Sequence, residues 1–467
     1  MSYTEIMNKR KQIIRDSTRF DYERFELGGL AFAYEAMMQN TGYSHEEIRQ
    51  IQHSTGVGNT PLLELHNITR LARRVSRRGT AARILIKDEA ANPSGSFKAR
   101  RAAVSVFHAM RHGFRGVAAA TSGNYGAAVA SQAAMRGLKC IIVQEVYDSR
   151  GLGQPEILEK GRACEAYGAE VIQLTVGPEL FAVYLQILEE TGYFNASLYT
   201  PFGIAGIETL GSELAEQVVI ATGRPPDVVV VTHAGGGNVT GTARGLRLQG
   251  AGQTSVVAAS VDLSGLHMAS DRDFNRKSFT TGHTGFGMPF ATWPDRADVP
   301  RNAARSLRYM DRYVTVAQGE AFYATEMLAQ LEGLERGPAG NTALAAAFVL
   351  AQDMADDQTI VVQETEYTGA GKHPNAQLQF AREQGVMVSS GDPRQSRPGE
   401  SIVIPDHPSR LGVREVELNQ LRRSYLRNAL VAKGGAELLP LERQFILEDC
   451  RADEALLQDV EESLYRR

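Results

Sequence analysis

From about residue 83 onward, short apolar runs alternate with alanine-rich stretches of helical character. The runs are RILIKDEA at 83–90, GVAAATS at 116–122, KCIIVQE at 139–145, EVIQLTV at 170–176, DVVVVTHA at 227–234, SVVAASVD at 255–262 and TIVVQETE at 359–366. A strand with one wet face alternates apolar and polar positions, whereas most of these are nearly continuous in apolar residues. The pattern predicts parallel sheets covered on both faces by helices, an α/β fold class with two parallel-sheet domains. The smaller block spans 100–205, and the larger is formed by 56–99 with 206–385. Residues 1–55 read as a helical extension, in which YSHEEIRQIQH sets Glu47 three positions after Ser44, the capping-box spacing. The stretch from about 262 to 312 is rich in glycine and basic residues and too irregular for core elements; loops of that length are functional or disordered. Residues 386–467 read as a charged, helical extension.

Composition narrows this little. The chain has 467 residues, 43% of them hydrophobic and 22% charged, as expected of a globular protein with more than one domain. A net charge of -4 gives no global reason to bind nucleic acid or an anionic membrane, so any anion must be held locally. Cys140, Cys164 and Cys450 leave one thiol over in any pairing scheme, which suggests a reducing compartment. With no signal-peptide run and no long apolar span, the expected location is the cytoplasm.

Three stretches carry candidate chemistry. In DVVVVTHAGGGNVTGTARGL, residues Ala234, Gly235, Gly236, Gly237, Asn238 and Thr240 lie between a strand and a helix. Glycines there let N–H groups turn toward one anion at a helix N-terminus, making a phosphate cup; taken alone, the loop is equally a tight packing turn. Thr121, Ser122, Gly123 and Asn124, at a second strand-to-helix junction, can grip a carboxylate or simply cap a helix. Lys98, in NPSGSFKAR, follows a turn signature and an aromatic. It is either a snorkelling lysine or an amine held for chemistry. Pyridoxal phosphate needs both an imine-forming lysine and a phosphate cup, so the three together point to that cofactor. His267, Arg272, His283 and Arg296 are donors available to an oxyanion or to phosphates, although each reads more readily as a solvated charge or a structural hydrogen-bond donor. The cysteines read as buried small residues, and no metal-ligand spacing occurs.

NPSGSFKAR, TSGNYGAA, AGGGNVTG and TEYTGAGKHP resemble, in order and spacing, the threonine synthase and tryptophan synthase β-chain group, the fold type II pyridoxal phosphate enzymes. The resemblance implies Lys98 as the Schiff-base lysine, Asn124 as partner of the cofactor's 3-hydroxyl, Ala234 to Asn238 as phosphate loop and Thr368 as the hydroxyl beside the pyridine nitrogen. Two positions depart from the group: Ala99 stands where Asp is frequent, and Tyr125 puts a phenol near the substrate, a candidate catalytic group. STGVGNTPLLEL, YDSRGLGQPEI, TVGPELF, HTGFGMPFATWPDR and GLERGPAGNTALAAAF are similar to the large subunit of the 2-amino-4-oxopentanoate thiolase family. That implies cleavage of 2-amino-4-oxopentanoate with coenzyme A to alanine and acetyl-CoA in ornithine breakdown, a small second subunit and a homodimer core. A threonine synthase-like elimination or replacement enzyme uses the same motifs. A cofactor-binding but non-catalytic scaffold or regulatory subunit is the alternative of another class.

Overall fold

The computed structural model describes residues 2–121, 123–147, 151–177, 179–262, 288–367, 373–397 and 399–465. Every one of the apolar runs forms a strand, and the strands divide between two sheets. In chain order they are β1 (Leu62–Glu64), β2 (Arg83–Asp88), β3 (Gly116–Thr121), β4 (Lys139–Tyr147), β5 (Glu170–Thr175), β6 (Phe194–Asn195), β7 (Val228–Thr232), β8 (Ser255–Val261), β9 (Arg312–Val316), β10 (Thr359–Glu364) and β11 (Arg414–Glu415). The seven-stranded sheet has the order β11-β9-β8-β7-β10-β2-β1, parallel inside with an antiparallel strand at each edge. The four-stranded sheet, β5-β4-β3-β6, is parallel throughout. Valines and isoleucines of β2, β7, β8 and β10 are buried on both faces, which is why these strands read as continuous apolar runs.

The helices that matter for the site are α1 (Lys98–Arg111), α2 (Asn124–Met135), α3 (Pro155–Ala166), α4 (Pro201–Thr222) and α5 (Gly237–Leu248). Glycine sets how closely three of them approach. A Cβ at Gly206 would fall on the Arg100 carbonyl of α1, one at Gly211 on the Thr242 carbonyl of α5, and one at Gly245 on the Glu208 carbonyl of α4. α4 is thereby wedged, backbone against backbone, between the helix that begins at Lys98 and the helix that begins in the glycine loop.

A buried charge network locks the same region. Arg100 donates from Nε to Glu89 at 2.7 Å and from its two Nη atoms to Glu213 at 3.1 and 3.0 Å. Lys87 Nζ reaches the same Glu213 at 2.6 Å. Burial alone would raise the Glu213 carboxyl, but Arg100 and Lys87 overcome it and hold it well below the usual range.

Several expectations need correction. Residues 386–467 begin with a parallel strand pair, Met387–Gly391 with Ser401–Pro405, and with β11 on the main sheet; the helices Leu418–Ala432, Pro440–Cys450 and Glu454–Tyr465 follow. The 1–55 segment is helical apart from a hairpin, Glu26–Gly28 with Ala31–Phe32, and its Ser44–Glu47 capping box is present. The described part of the irregular stretch, 288–311, is no surface loop: Asp298, Asn302, Ala303, Ala304, Leu307 and Met310 are buried in it. Among the described residues no helix is long and apolar enough to cross a membrane.

Gly245→Ala drives a methyl into the α4 backbone, where Ser212 N lies 2.8 Å from the added carbon. The expected loss is about 1–3 kcal/mol of unfolding free energy, read by urea denaturation. An unchanged midpoint would contradict the close crossing.

Candidate active site

Three neighbouring parallel strands, β7, β10 and β2, end on one side of the large sheet at Thr232, Glu364 and Asp88. The glycine loop leaves the first, Glu366 follows the second, and the turn carrying Lys98 follows the third. Loops at the carboxyl ends of adjacent parallel strands converge, so three segments far apart in sequence meet here.

The Asn92–Phe97 turn is held from both sides. Asn92 Oδ1 accepts from Gly58 N–H at 2.9 Å, and its amide donates to Glu89 Oε2 at 2.8 Å. Ser94 and Gly95 both take left-handed conformations (φ 65° and 71°), unfavourable for the serine. Gly95 O accepts from Tyr367 N–H at 2.8 Å, and Phe97 N–H donates to Thr365 O at 3.0 Å. Ser96 pairs with Glu366 in an isolated bridge, which sets that carboxylate beside Lys98. Lys98 is the first residue of α1. Burial pushes its ammonium down to about 8; Glu366 opposes the shift, and Arg101 and Lys160 add to it. An amine in that range is neutral in a minority of molecules near physiological pH, but in far more of them than an ordinary lysine, which favours work as a nucleophile or base.

In the glycine loop, a Cβ at Gly235 would lie 2.6 Å from the Tyr199 hydroxyl, and one at Gly237 would lie 2.9 Å from the Arg101 guanidinium carbon. Gly236 has φ 83°, and Ser306 Oγ would be 2.9 Å from its Cβ. A side chain at any of the three would displace Tyr199, Ser306 or Arg101, and at Gly236 the left-handed backbone disfavours one as well. Asn238, buried in the first turn of α5, has neither amide atom hydrogen-bonded, while Thr240 Oγ1 donates back to Gly236 O at 2.9 Å and closes the turn. Behind the loop, His233 bonds Ser306 Oγ at 2.9 Å, and burial lowers it to about 4, so it is a neutral support.

At the end of β3, Gly123 N–H donates to Thr121 Oγ1 at 3.2 Å. Asn124, opening α2, donates its amide to Glu366 and so ties this loop to the Lys98 region. Tyr125 departs from expectation: its hydroxyl donates to Ala196 O at 2.7 Å, and burial raises the phenol, which makes it part of the packing. Arg296 stacks on Phe290 at 3.9 Å and acts electrostatically on Tyr199, the residue that overlies Gly235. Ser122, Thr368, His267, Arg272 and His283 lie outside the described residues. All three cysteines are buried, with Cys164 and Cys450 pushed up to about 12.

Sequence reasoning missed Arg101, Glu366, Glu156 and Lys160. The last two, both buried, stand four apart on α3; Glu156 is pushed up to about 8 by burial and by Glu366, with Lys160 and Lys98 opposing. Glu156 and Lys160 share the buried face of α3 with Ile157, Gly161 and Cys164, while Glu159, Arg162 and Glu165 are exposed; two charges in phase with the apolar positions of PEILEKGRACEA were the available signal.

The model of the family described as "Pyridoxal-phosphate dependent enzyme" matches residues 53–366. The 2-amino-4-ketopentanoate thiolase beta subunit of Acetoanaerobium sticklandii is 64% identical over 453 residues, 97% of this chain and 96% of the relative. The chain belongs to the pyridoxal-phosphate dependent enzymes, among the 2-amino-4-ketopentanoate thiolase beta subunits. Its fold is shared with O-ureido-L-serine synthase (TM-score 0.53, 22% identity, 69% of this chain and 92% of that one). It is also shared with the serine racemase of Dictyostelium discoideum (TM-score 0.53, 22% identity, 69% and 97%). In this pyridoxal-phosphate dependent enzyme the partly exposed Lys98 amine, the side-chain-free glycine loop and the unpaired Asn238 amide fit, by their chemistry, an aldehyde that bears a phosphate.

Glu366 opposes the depression of Lys98. Glu366→Gln is therefore expected to move half-titration of the amine below about 8, by roughly one unit. Acylation of Lys98 in the cofactor-free chain against pH, followed by peptide mass spectrometry, measures it; a shift to higher pH would contradict the assignment.

Proposed function

We propose that this chain is the cofactor-bearing subunit of a thiolase that cleaves 2-amino-4-ketopentanoate (2-amino-4-oxopentanoate) with coenzyme A to alanine and acetyl-CoA, in ornithine breakdown. The carrying observation is 64% identity along 97% of the chain to beta subunits of that name. The bond between carbons 3 and 4 breaks, a bond forms between the thiol sulfur and carbon 4, and the thiol proton ends on carbon 3. When bound, pyridoxal phosphate supplies an electron sink conjugated to the substrate nitrogen.

The rest falls to the protein. Lys98 anchors the cofactor and, with its ammonium lowered to about 8, takes and holds the proton of carbon 2. Gly235, Gly236 and Gly237, with Ala234, Asn238 and the first turn of α5, cradle the phosphate. Thr121, Ser122, Gly123 and Asn124 hold the substrate carboxylate at the N-terminus of α2, where first-turn N–H groups have no intrahelical acceptor. Asn124 orients the ring hydroxyl, and Thr368, outside the described residues, is assigned as the neutral partner of the pyridine nitrogen. Tyr125 serves as a wall, since its hydroxyl is engaged by Ala196.

The larger block, 56–99 with 206–385, is the cofactor-binding domain and 100–205 the small α/β domain. A small second subunit completes the enzyme on a homodimer core, in the cytoplasm. The test is to co-express the chain with a small partner and supply substrate and coenzyme A. Alanine and acetyl-CoA are expected in equal amounts, and Lys98→Ala is expected to remove the visible absorbance and lower turnover at least about 100-fold. Ammonia release without any need for coenzyme A would point to elimination instead.

A further inference from the structure

We propose that Arg101 is the cationic ligand of the cofactor's phosphate, working with the N-terminus of α5. The inference rests on the cofactor reading above and adds a residue to it.

Arg101 is only 4% exposed. Its Nε has no hydrogen-bond partner, and Nη1 donates to a neutral carbonyl, Leu198 O, at 3.1 Å. The groups acting on its charge are the neutral phenols Tyr125 and Tyr199, and no carboxylate among the described residues compensates it. Arg100, next to it on the same helix and equally buried, is by contrast saturated by Glu89 and Glu213. A buried cation without a counter-charge is costly, and proteins retain one where an anion binds.

The place of that anion follows from what surrounds the guanidinium. Its Cζ and Nη1 would each be 2.9 Å from a Cβ on Gly237, the first residue of α5. Asn238, 6% exposed, adds an amide with both atoms unpartnered. A helix N-terminus, a guanidinium and an amide therefore converge, and all three favour a dianion. Lys98 and Arg101 are three residues apart on α1, hence on one face and about 4.5 Å apart along the axis. One rigid helix turn then presents the amine to the aldehyde end of the cofactor and the guanidinium to its phosphate end.

The test compares wild type with Arg101→Gln and Arg101→Lys, as holoenzyme and as cofactor-resolved chain. Titration with pyridoxal phosphate and with pyridoxal, followed by visible absorbance, gives the preference for the phosphorylated form. Arg101→Gln is expected to reduce that preference roughly 10- to 100-fold, with Arg101→Lys intermediate. In the holoenzyme the phosphorus NMR resonance is expected to stay at the dianion position across neutral pH in wild type and to titrate in Arg101→Gln. The cofactor-free Gln variant should melt no lower than wild type, because an uncompensated buried charge has been removed.

Unchanged preference and phosphorus resonance, with a raised KM for the amino acid, would overturn the proposal and give Arg101 to the substrate carboxylate. Equal weakening for both cofactor forms, with a lower apo melting temperature, would overturn it in favour of packing. Wild-type protein without visible absorbance would instead sink the cofactor reading on which the proposal stands.

Discussion

A buried guanidinium with both its edges occupied fixes the geometry of everything around it. Arg100, Lys87, Glu89 and Glu213 are all buried, two cations against two carboxylates, so their charges balance within the network. Glu213 also accepts from the Asn59 and Thr60 N–H groups, each at 2.9 Å. The network thereby joins strand β2, the turn before Lys98, the start of α1, helix α4 and the loop that precedes β1. Removing one member of such a set strands the others without solvent, which is far costlier than never having buried them. Arg100 and Lys98 stand two residues apart and project to opposite sides of α1. Locking the one orients the other.

Glycine supplies the complementary constraint. Gly206, Gly211 and Gly245 bring α4 into backbone contact with α1 and α5, while Gly235, Gly236 and Gly237 keep a side-chain-free surface at the mouth of α5. Around that surface a cluster of charge accumulates in little water: Lys98, Arg101 and Lys160 with Glu156 and Glu366. Burial drives the members whose titration moves toward neutrality: Lys98 comes down to about 8 and Glu156 goes up to about 8. Groups poised in that way exchange protons at physiological pH, and a reaction that moves a proton from carbon 2 and places one on carbon 3 requires such groups.

The sequence disclosed what is encoded locally. β2, β7, β8 and β10 were legible because burial on both faces leaves continuous apolar runs, and the glycine loop and the Lys98 turn were legible because turn residues are unmistakable. β9 followed an irregular stretch, and β11 and β6 are two residues long, too short for any period. Of the strand pair at 387–405, Met387–Gly391 is largely polar and exposed, and Ser401–Pro405, though apolar and partly buried, is a five-residue run closed by proline just after a turn-rich stretch. Tyr125 was placed near the substrate because it adjoins the Thr121–Asn124 loop, but helical phase turns it toward Ala196. Arg101 over Gly237 and Glu366 beside Lys98 are contacts between distant segments, created by sheet order, and no local pattern encodes them.

The account depends on covalent attachment of the cofactor to one amine among several. Reduction of the holoenzyme with borohydride, followed by proteolysis and peptide mass spectrometry, identifies the lysine that carries it. The pyridoxyl mass is expected on the peptide containing Lys98, at near-stoichiometric yield. Its appearance on Lys160 or Lys87, or on no lysine at all, would contradict the account.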